Sequence, residues 1–209
     1  MWELEKKIIE IGKILTFRVQ VEKKGFGHAI LQAADFCGDE PVLLLLGDTI
    51  YRSGSQKTCS EQIIEAYEQL AAPIVSIHKT PVDKVVHYGI LSGKWEDKSR
   101  TVMKVSEFVE KPTVEYAKDF LGVKGVNGKD SYYSVFGQYV LTPEVFVALK
   151  ENISAATEKS GEFGLTGVLA SFIDSSANSG GCGLYGVVLD GRMFDTGNAE
   201  AYRDTMREF

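Results

Sequence analysis

Cysteine is scarce in this chain: Cys37, Cys59 and Cys182 are an odd set, far apart, with no C-x-x-C pair. That pattern argues against a disulfide framework or a cysteine zinc site and suits reduced thiols in a cytoplasmic protein. Histidine is equally sparse. His78 and His87 share no spacing with a third ligand, which sets aside a histidine metal site, and His28 falls in a first helical turn where a structural role suffices. Positive charge is in deficit, with 23 Lys and Arg against 29 Asp and Glu, giving a net charge of −6. A nucleic-acid partner needs a dense basic surface and is not expected, although a few local cations would serve one small phosphorylated ligand. Apolar runs are short, none approaching the ~20 residues that cross a membrane. The N-terminal "MWELEKKIIEIGK" is charged and amphipathic, unlike a secretory leader. No membrane partner is expected, and no internal repeat is visible.

What is present is apolar residue in quantity, 44% of 209 positions, enough for one globular domain with a real core. Residues 1–12 read as a helix with Leu4, Ile8 and Ile11 on one face, closed by Gly12. "ILTFRVQ" (14–20) is β-rich, and "GFGHAILQAADF" (25–36) opens on glycines and continues helically. "PVLLLLGD" (41–48) has the continuous apolar character of a strand buried on both faces. Thr58 and Glu61 make a capping box for a helix over 60–71, and "PIVSIHK" (73–79) is the next strand. This alternation predicts an α/β fold with a parallel core. Later segments, "YGILSG" (88–93), "RTVMKVSEFVEKP" (100–112), "YYSVFGQYVLT" (132–142) and "GLYGVVLDGRMFD" (183–195), extend it as a mixed, partly antiparallel sheet. Thr142-Pro143 starts a helix, and residues 123–131 and 174–183 read as flexible loops.

Ligands of open α/β sheets sit beyond the carboxyl ends of the strands, where Asp48 follows its apolar run. An aspartate there either meets a ligand or caps the next loop. The other short signals are equally two-sided. "GFGHA" (25–29) is a turn that could also admit an anion at a helix start. "VEKP" (109–112) is a solvated turn, or two charges on opposite strand faces, one for hydroxyls and one for phosphate. Glu162 in "GEFGLTG" suits a helix cap, and Asp195 in "GRMFDTGN" suits a turn.

Their order is more specific than any one of them. GFGHA, an apolar strand ending in GD, YG, EKP, GQYVLTP, GEFGLT and a terminal D-x-GN together resemble the sugar-1-phosphate nucleotidyltransferases, closest to bacterial-type UTP–glucose-1-phosphate uridylyltransferases. The resemblance runs from about Glu3 to Phe209. It implies a Rossmann-like mixed sheet flanked by helices, of the nucleotide-diphospho-sugar transferase type. It implies that Gln20 and Gly25 hold the nucleobase and that Asp48 and Asp195 bind Mg²⁺. It assigns the sugar to Gly89, Glu110, Gly137 and Glu162, and phosphate charge to Lys111 and Arg192. UTP and glucose 1-phosphate are the implied substrates, and assembly into a homo-oligomer is compatible with it.

The chemistry wants such residues. An anionic sugar phosphate attacks the α-phosphorus of a nucleoside triphosphate and expels pyrophosphate, so no general base is needed. The obstacles are repulsion between polyanions and the entropy of aligning them. Several departures from the family pattern stand out, among them Gly47-Asp48-Thr49, which lacks the more usual second acid. Gln138 follows Gly137 where arginine is common, and Gly167 stands where an acid often follows Leu-Thr. The glycine-rich G-x-G-T-R loop that cradles the triphosphate has no counterpart either. The chain is therefore expected to be one nucleotidyltransferase domain, 1–209, incomplete at its N-terminus by about 90 residues, or two to three βα units. Other readings are a non-catalytic nucleotide-sugar-binding module and a thymidylyl-, adenylyl- or guanylyltransferase. A metal-dependent glycosyltransferase would want a D-x-D pair near residue 48, and there is none.

Overall fold

The computed structural model describes residues 2–125, 128–155, 163–178 and 183–208. In chain order they form α1 (Trp2–Ile14), α2 (Phe26–Leu31), α3 (Ala34–Cys37), β1 (Val42–Leu45), β2 (Thr49–Ser53), α4 (Cys59–Leu70) and β3 (Ile74–Thr80). A short 3₁₀ helix (Val82–His87) leads into β4 (Gly89–Trp95), β5 (Val102–Glu110), α5 (Val114–Phe120), β6 (Val123–Lys124) and β7 (Asp130–Leu141). The chain then runs through α6 (Pro143–Ala155), α7 (Leu165–Asn178), β8 (Tyr185–Val188), β9 (Gly191–Asp195) and α8 (Ala199–Glu208).

The main sheet has the order β1-β7-β3-β8-β5-β4, with β6 and β4 also paired to the long β7. The expected mixed sheet between helices is present, but its balance differs from the alternation read off the sequence. Among the described residues only β3 and β8 run parallel (Ile74 opposite Tyr185), and the other pairings are antiparallel. A β-α-β rhythm cannot tell which strand becomes a neighbour. β3 is followed in sequence by β4, yet it lies between β7 and β8.

The core forms where helices cover this sheet. Leu91, Met103, Leu141, Leu149 and Leu169 are fully buried in one cluster, and Ile63 of α4 joins Ile74, Phe136 and Val187 in a second on β3, β7 and β8. The capping box of α4 is as expected: Thr58 N–H donates to Glu61 Oε2 (2.7 Å) and Glu61 N–H to Thr58 Oγ1 (3.2 Å). The Thr58 N–H and then the Thr58 hydroxyl, both donating to Glu61 Oε2, hold the Glu61 carboxyl below its ordinary pKa.

Three expectations are corrected. Residues 14–20 form no strand, and Phe17 and Val19 are exposed, because β propensity without a neighbouring strand leaves the ladder unmade. β1 is not covered on both faces. Among the described residues its one partner strand is β7, Val42 opposite Leu141, and Leu45 is 48% exposed. Residues 174–178 continue α7 instead of opening a loop, while 179–182 lie outside the described residues. The helix α1, as expected amphipathic, buries none of its residues.

Candidate functional site

The strand ends converge on two adjoining cavities. The larger, about 630 Å³, is lined by Phe26, Leu46, Phe163, Leu165 and Thr166, among others, and the smaller, about 410 Å³, by Asp48, Tyr88, Gly89, Gly137 and Asp195, among others. Leu46, Glu110, Lys111 and Tyr139 line both. The two cavities are therefore one divided site.

Its wall belongs to the main sheet. Glu110 ends β5, and Thr166 Oγ1 in the first turn of α7 donates to its Oε2 at 2.8 Å. Gly89 lies opposite Glu110 across β4 and β5, so close that a Cβ there would stand 3.1 Å from Glu110 Oε2. Lys111 has φ 47°, in the left-handed region, although it precedes a proline, a position biased to extended backbone. Its N–H donates to the Tyr88 carbonyl (3.0 Å), which holds this reversal and places Lys111 on both cavities. On β7 the register slips beside Gly137, whose φ is 97°. The buried Ser76 hydroxyl spans that bulge, donating to the Gln138 carbonyl (2.7 Å) and accepting from Gln138 N–H (2.9 Å). A Cβ on Gly137 would meet the Tyr51 hydroxyl at 2.5 Å, so only glycine fits. Burial pushes the phenol of Tyr51 up to about 12; that of Tyr139 is raised by burial and then by the Glu110 charge. Both remain neutral donors.

The floor is a separate two-stranded ribbon of β2 and β9, in which Thr49 pairs with Asp195. Asp48 precedes β2, and Asp195 ends β9. Thr196 clamps the Asp48 carbonyl with its N–H and its hydroxyl, both at 2.8 Å. Gly197 N–H donates to Asp195 Oδ1 at 2.7 Å, and Thr205 Oγ1 donates to the Asp195 carbonyl at 2.8 Å. A Cβ built on Gly197 would lie 2.9 Å from Asp48 Oδ2 and 3.2 Å from Asp195 Oδ1. Carboxylates almost 150 positions apart in sequence thus face one open point. Among the described residues no group of three or more metal-ligating side chains forms. Two carboxylates facing one gap are the donor set from which Mg²⁺ is bound when waters and substrate phosphates complete its shell.

Gln20 and Gly25 come together ahead of α2. Gln20 Nε2 donates to the Gly25 carbonyl (3.0 Å) and stands 2.9 Å from His28 Nδ1. Gly25 immediately precedes Phe26 on the wall of the larger cavity, and His28 serves this local network. His78 is half-buried between Phe136 and Tyr88, edge-on to both rings, and burial lowers its pKa.

Arg192 is not brought to either cavity. Strand alternation puts Met193 and Asp195 on the cavity side, whereas Arg192 lies over the Phe194 ring (4.9 Å) and pairs with Glu208 (3.1 Å). Glu162 lies outside the described residues. The sequence reading did not single out Tyr139, Thr166 or Gly197. All three stand inside motifs it quoted, GQYVLTP, GEFGLT and D-x-GN, and hydroxyl-bearing or small neighbours of the marked residues were the available signal.

A mixed sheet with a divided, carboxylate-floored site at its strand ends is the arrangement in which open α/β proteins bind their ligands. The nucleotidyl transferase family matches residues 3–209, and the chain belongs to that family. It is 30% identical over 207 residues to a UTP–glucose-1-phosphate uridylyltransferase of Bacillus subtilis, covering 99% of this chain and 62% of the relative. To the enzyme of that name from Pseudomonas aeruginosa it is 29% identical, covering 95% of this chain and 64% of the relative. A crystal structure of a UDP-glucose pyrophosphorylase complexed with UDP-glucose shares the fold, at 24% identity and a TM-score of 0.76, over 100% of this chain and 72% of that one. The chain thus spans less than two thirds of the length of the curated relatives it matches.

Proposed function

We propose that the protein to which this chain belongs transfers a uridylyl group from UTP to glucose 1-phosphate, releasing pyrophosphate. The observation that carries this reading is the convergence of Glu110 and Lys111 from the sheet with Asp48 and Asp195 from the ribbon on one divided site. The uridine and glucose assignments rest on the relatives named above.

In this mechanism Gln20 and Gly25 hold the base at the mouth of the larger cavity. Glu110, fixed by Thr166, accepts sugar hydroxyls beside Gly89 and the Gly137 bulge, and an acceptor held in place for a hydroxyl discriminates against a sugar that lacks it. Lys111 sets a fixed positive charge between sugar and phosphate, where Coulomb stabilisation is worth most once water is excluded. Arg192, spent on Glu208 on the far side of the ribbon, has no part in this step. Asp48 and Asp195 would hold Mg²⁺, which when bound lowers the repulsion between the two phosphate groups. Isothermal calorimetry with UDP-glucose, beside a pyrophosphate-release assay with UTP, glucose 1-phosphate and Mg²⁺, tests the reading. UDP-glucose binding that Lys111→Ala weakens supports it. Binding without turnover by the full-length protein moves it to a nucleotide-sugar-binding module, and no binding refutes the site.

A further inference from the structure

We propose that Gly197 is a positioning residue for the two carboxylates, and that its role is to leave space, not to bend the backbone. The inference rests on the metal reading of Asp48 and Asp195 and adds what decides their spacing. Gly197 does not adopt the left-handed backbone that demands glycine elsewhere in this chain, as at Gly25, Gly137 and Gly183. An alanine would keep its backbone. What it could not keep is the gap: its Cβ would stand 2.9 Å from Asp48 Oδ2, closer than a carbon and a carboxylate oxygen normally approach, and 3.2 Å from Asp195 Oδ1.

The two neighbours are not equally able to yield. Asp195 is tied at three points: its carboxylate accepts from Gly197 N–H, its carbonyl accepts from Thr205, and its backbone pairs with Thr49. Asp48 is tied mainly through its carbonyl, by the two hydrogen bonds from Thr196, while among the described residues its carboxylate accepts only the long hydrogen bond from Thr49 Oγ1 at 3.4 Å. A methyl group at position 197 would therefore swing the Asp48 carboxylate out and leave Asp195 in place. The cost falls on the convergence of the pair and hardly on folding, because what moves is the end of one exposed side chain. Thr196 and Gly197 thus act as a two-residue gauge: the first fixes where Asp48 starts, and the second fixes how near its oxygen comes to that of Asp195.

Mn²⁺ serves as the probe, since it takes the same oxygen ligands as Mg²⁺ and is paramagnetic. Water-proton relaxation on titrating Mn²⁺ alone into the 209-residue chain reads affinity without any turnover. Wild type, Gly197→Ala, Gly197→Ser, Thr196→Ser, Asp48→Asn and Asp195→Asn are compared, each with its melting temperature in EDTA. The expected result is affinity about tenfold or more weaker for Gly197→Ala and Gly197→Ser, as for other changes around metal ligands, with metal-free melting unchanged. Thr196→Ser, which keeps both donors to the Asp48 carbonyl, should bind as wild type. If Asp48→Asn and Asp195→Asn abolish binding while Gly197→Ala leaves it intact, the gauge is overturned and the metal reading stands. If neither asparagine substitution changes binding, or wild type shows none, the metal reading fails and the gauge with it. A large fall in metal-free melting for Gly197→Ala would also overturn it, by showing that the glycine is structural.

Discussion

The two halves of the site are built by different means. The wall that carries Glu110 and Lys111 belongs to a sheet whose strands bury Leu91, Phe108, Val105 and their neighbours in the larger core cluster. The ribbon that carries Asp48 and Asp195 is two strands of five residues each, which rest Tyr51 and Met193 on the smaller core cluster and are held besides by hydrogen bonds from Thr196, Gly197 and Thr205 and by Gln62, which bonds Asp190 at both its N–H and its carbonyl. Apolar burial fixes position through many small contacts. A hydrogen-bonded ribbon fixes it through a few directional ones, each worth about 1 kcal/mol net. The wall should therefore be costly to damage and slow to move, and the ribbon cheap to damage and easily displaced.

Stability separates the two most strongly. Leu91→Ala, at a fully buried position, should cost about 2–5 kcal/mol in urea unfolding, against about 1 kcal/mol for Thr205→Val, which removes the hydrogen bond from α8 to the ribbon. Equal losses would mean that the ribbon is part of the same core. Gly137→Ala should destabilise by more than about 1 kcal/mol, because φ 97° and the Tyr51 hydroxyl both oppose a side chain there. Losses of only a few tenths would show that the bulge relaxes.

Function should divide the lysines of one strand region. Lys111→Ala should weaken UDP-glucose binding or turnover by about 100-fold, whereas Lys104→Ala, exposed on β5 away from both cavities, should leave them unchanged. Comparable effects would return E-K-P to a solvated turn. The smallest effect concerns pH. His78 is half-buried, and that burial lowers its pKa from 6.5. Above about pH 6.5 both folded and unfolded chains hold it uncharged; below that the unfolded chain takes the proton first, so stability falls as pH drops towards the folded value. His78→Phe should flatten that slope in urea titrations at pH 7.5 and 5.5. An unchanged slope would assign it to other groups.

The sequence made the wall and the ribbon legible to different degrees. The capping box at Thr58, the strand ending at Glu110 and the helix at Pro143 are local signals, and the structure has all three. The pairing of β1 with β7 and the edge position that follows are not local, so a run of leucines read as doubly covered proved half exposed. Asp48 and Asp195 were placed together by motif order alone, and their approach depends on a register between β2 and β9 that no spacing encodes. Arg192 shows the converse: the motif put it in the site, and two-residue alternation turned it away beside the cavity-lining Asp195. Tyr139 and Thr166 went unread because a hydroxyl one or three residues from a marked position has no signature until the fold brings it to a cavity.

The central claim is that wall and ribbon serve one nucleotide-sugar ligand. Amide resonances of the labelled chain, followed first with UDP-glucose and then with a trace of Mn²⁺, test it most directly. The account predicts that Lys111, Gly137, Tyr139 and Gly164–Gly167 shift with UDP-glucose, and that Mn²⁺ then broadens Thr49, Thr196 and Gly197 together with Lys111. Shifts on the wall with Mn²⁺ broadening confined to a distant surface, or no shifts at millimolar UDP-glucose, would contradict it.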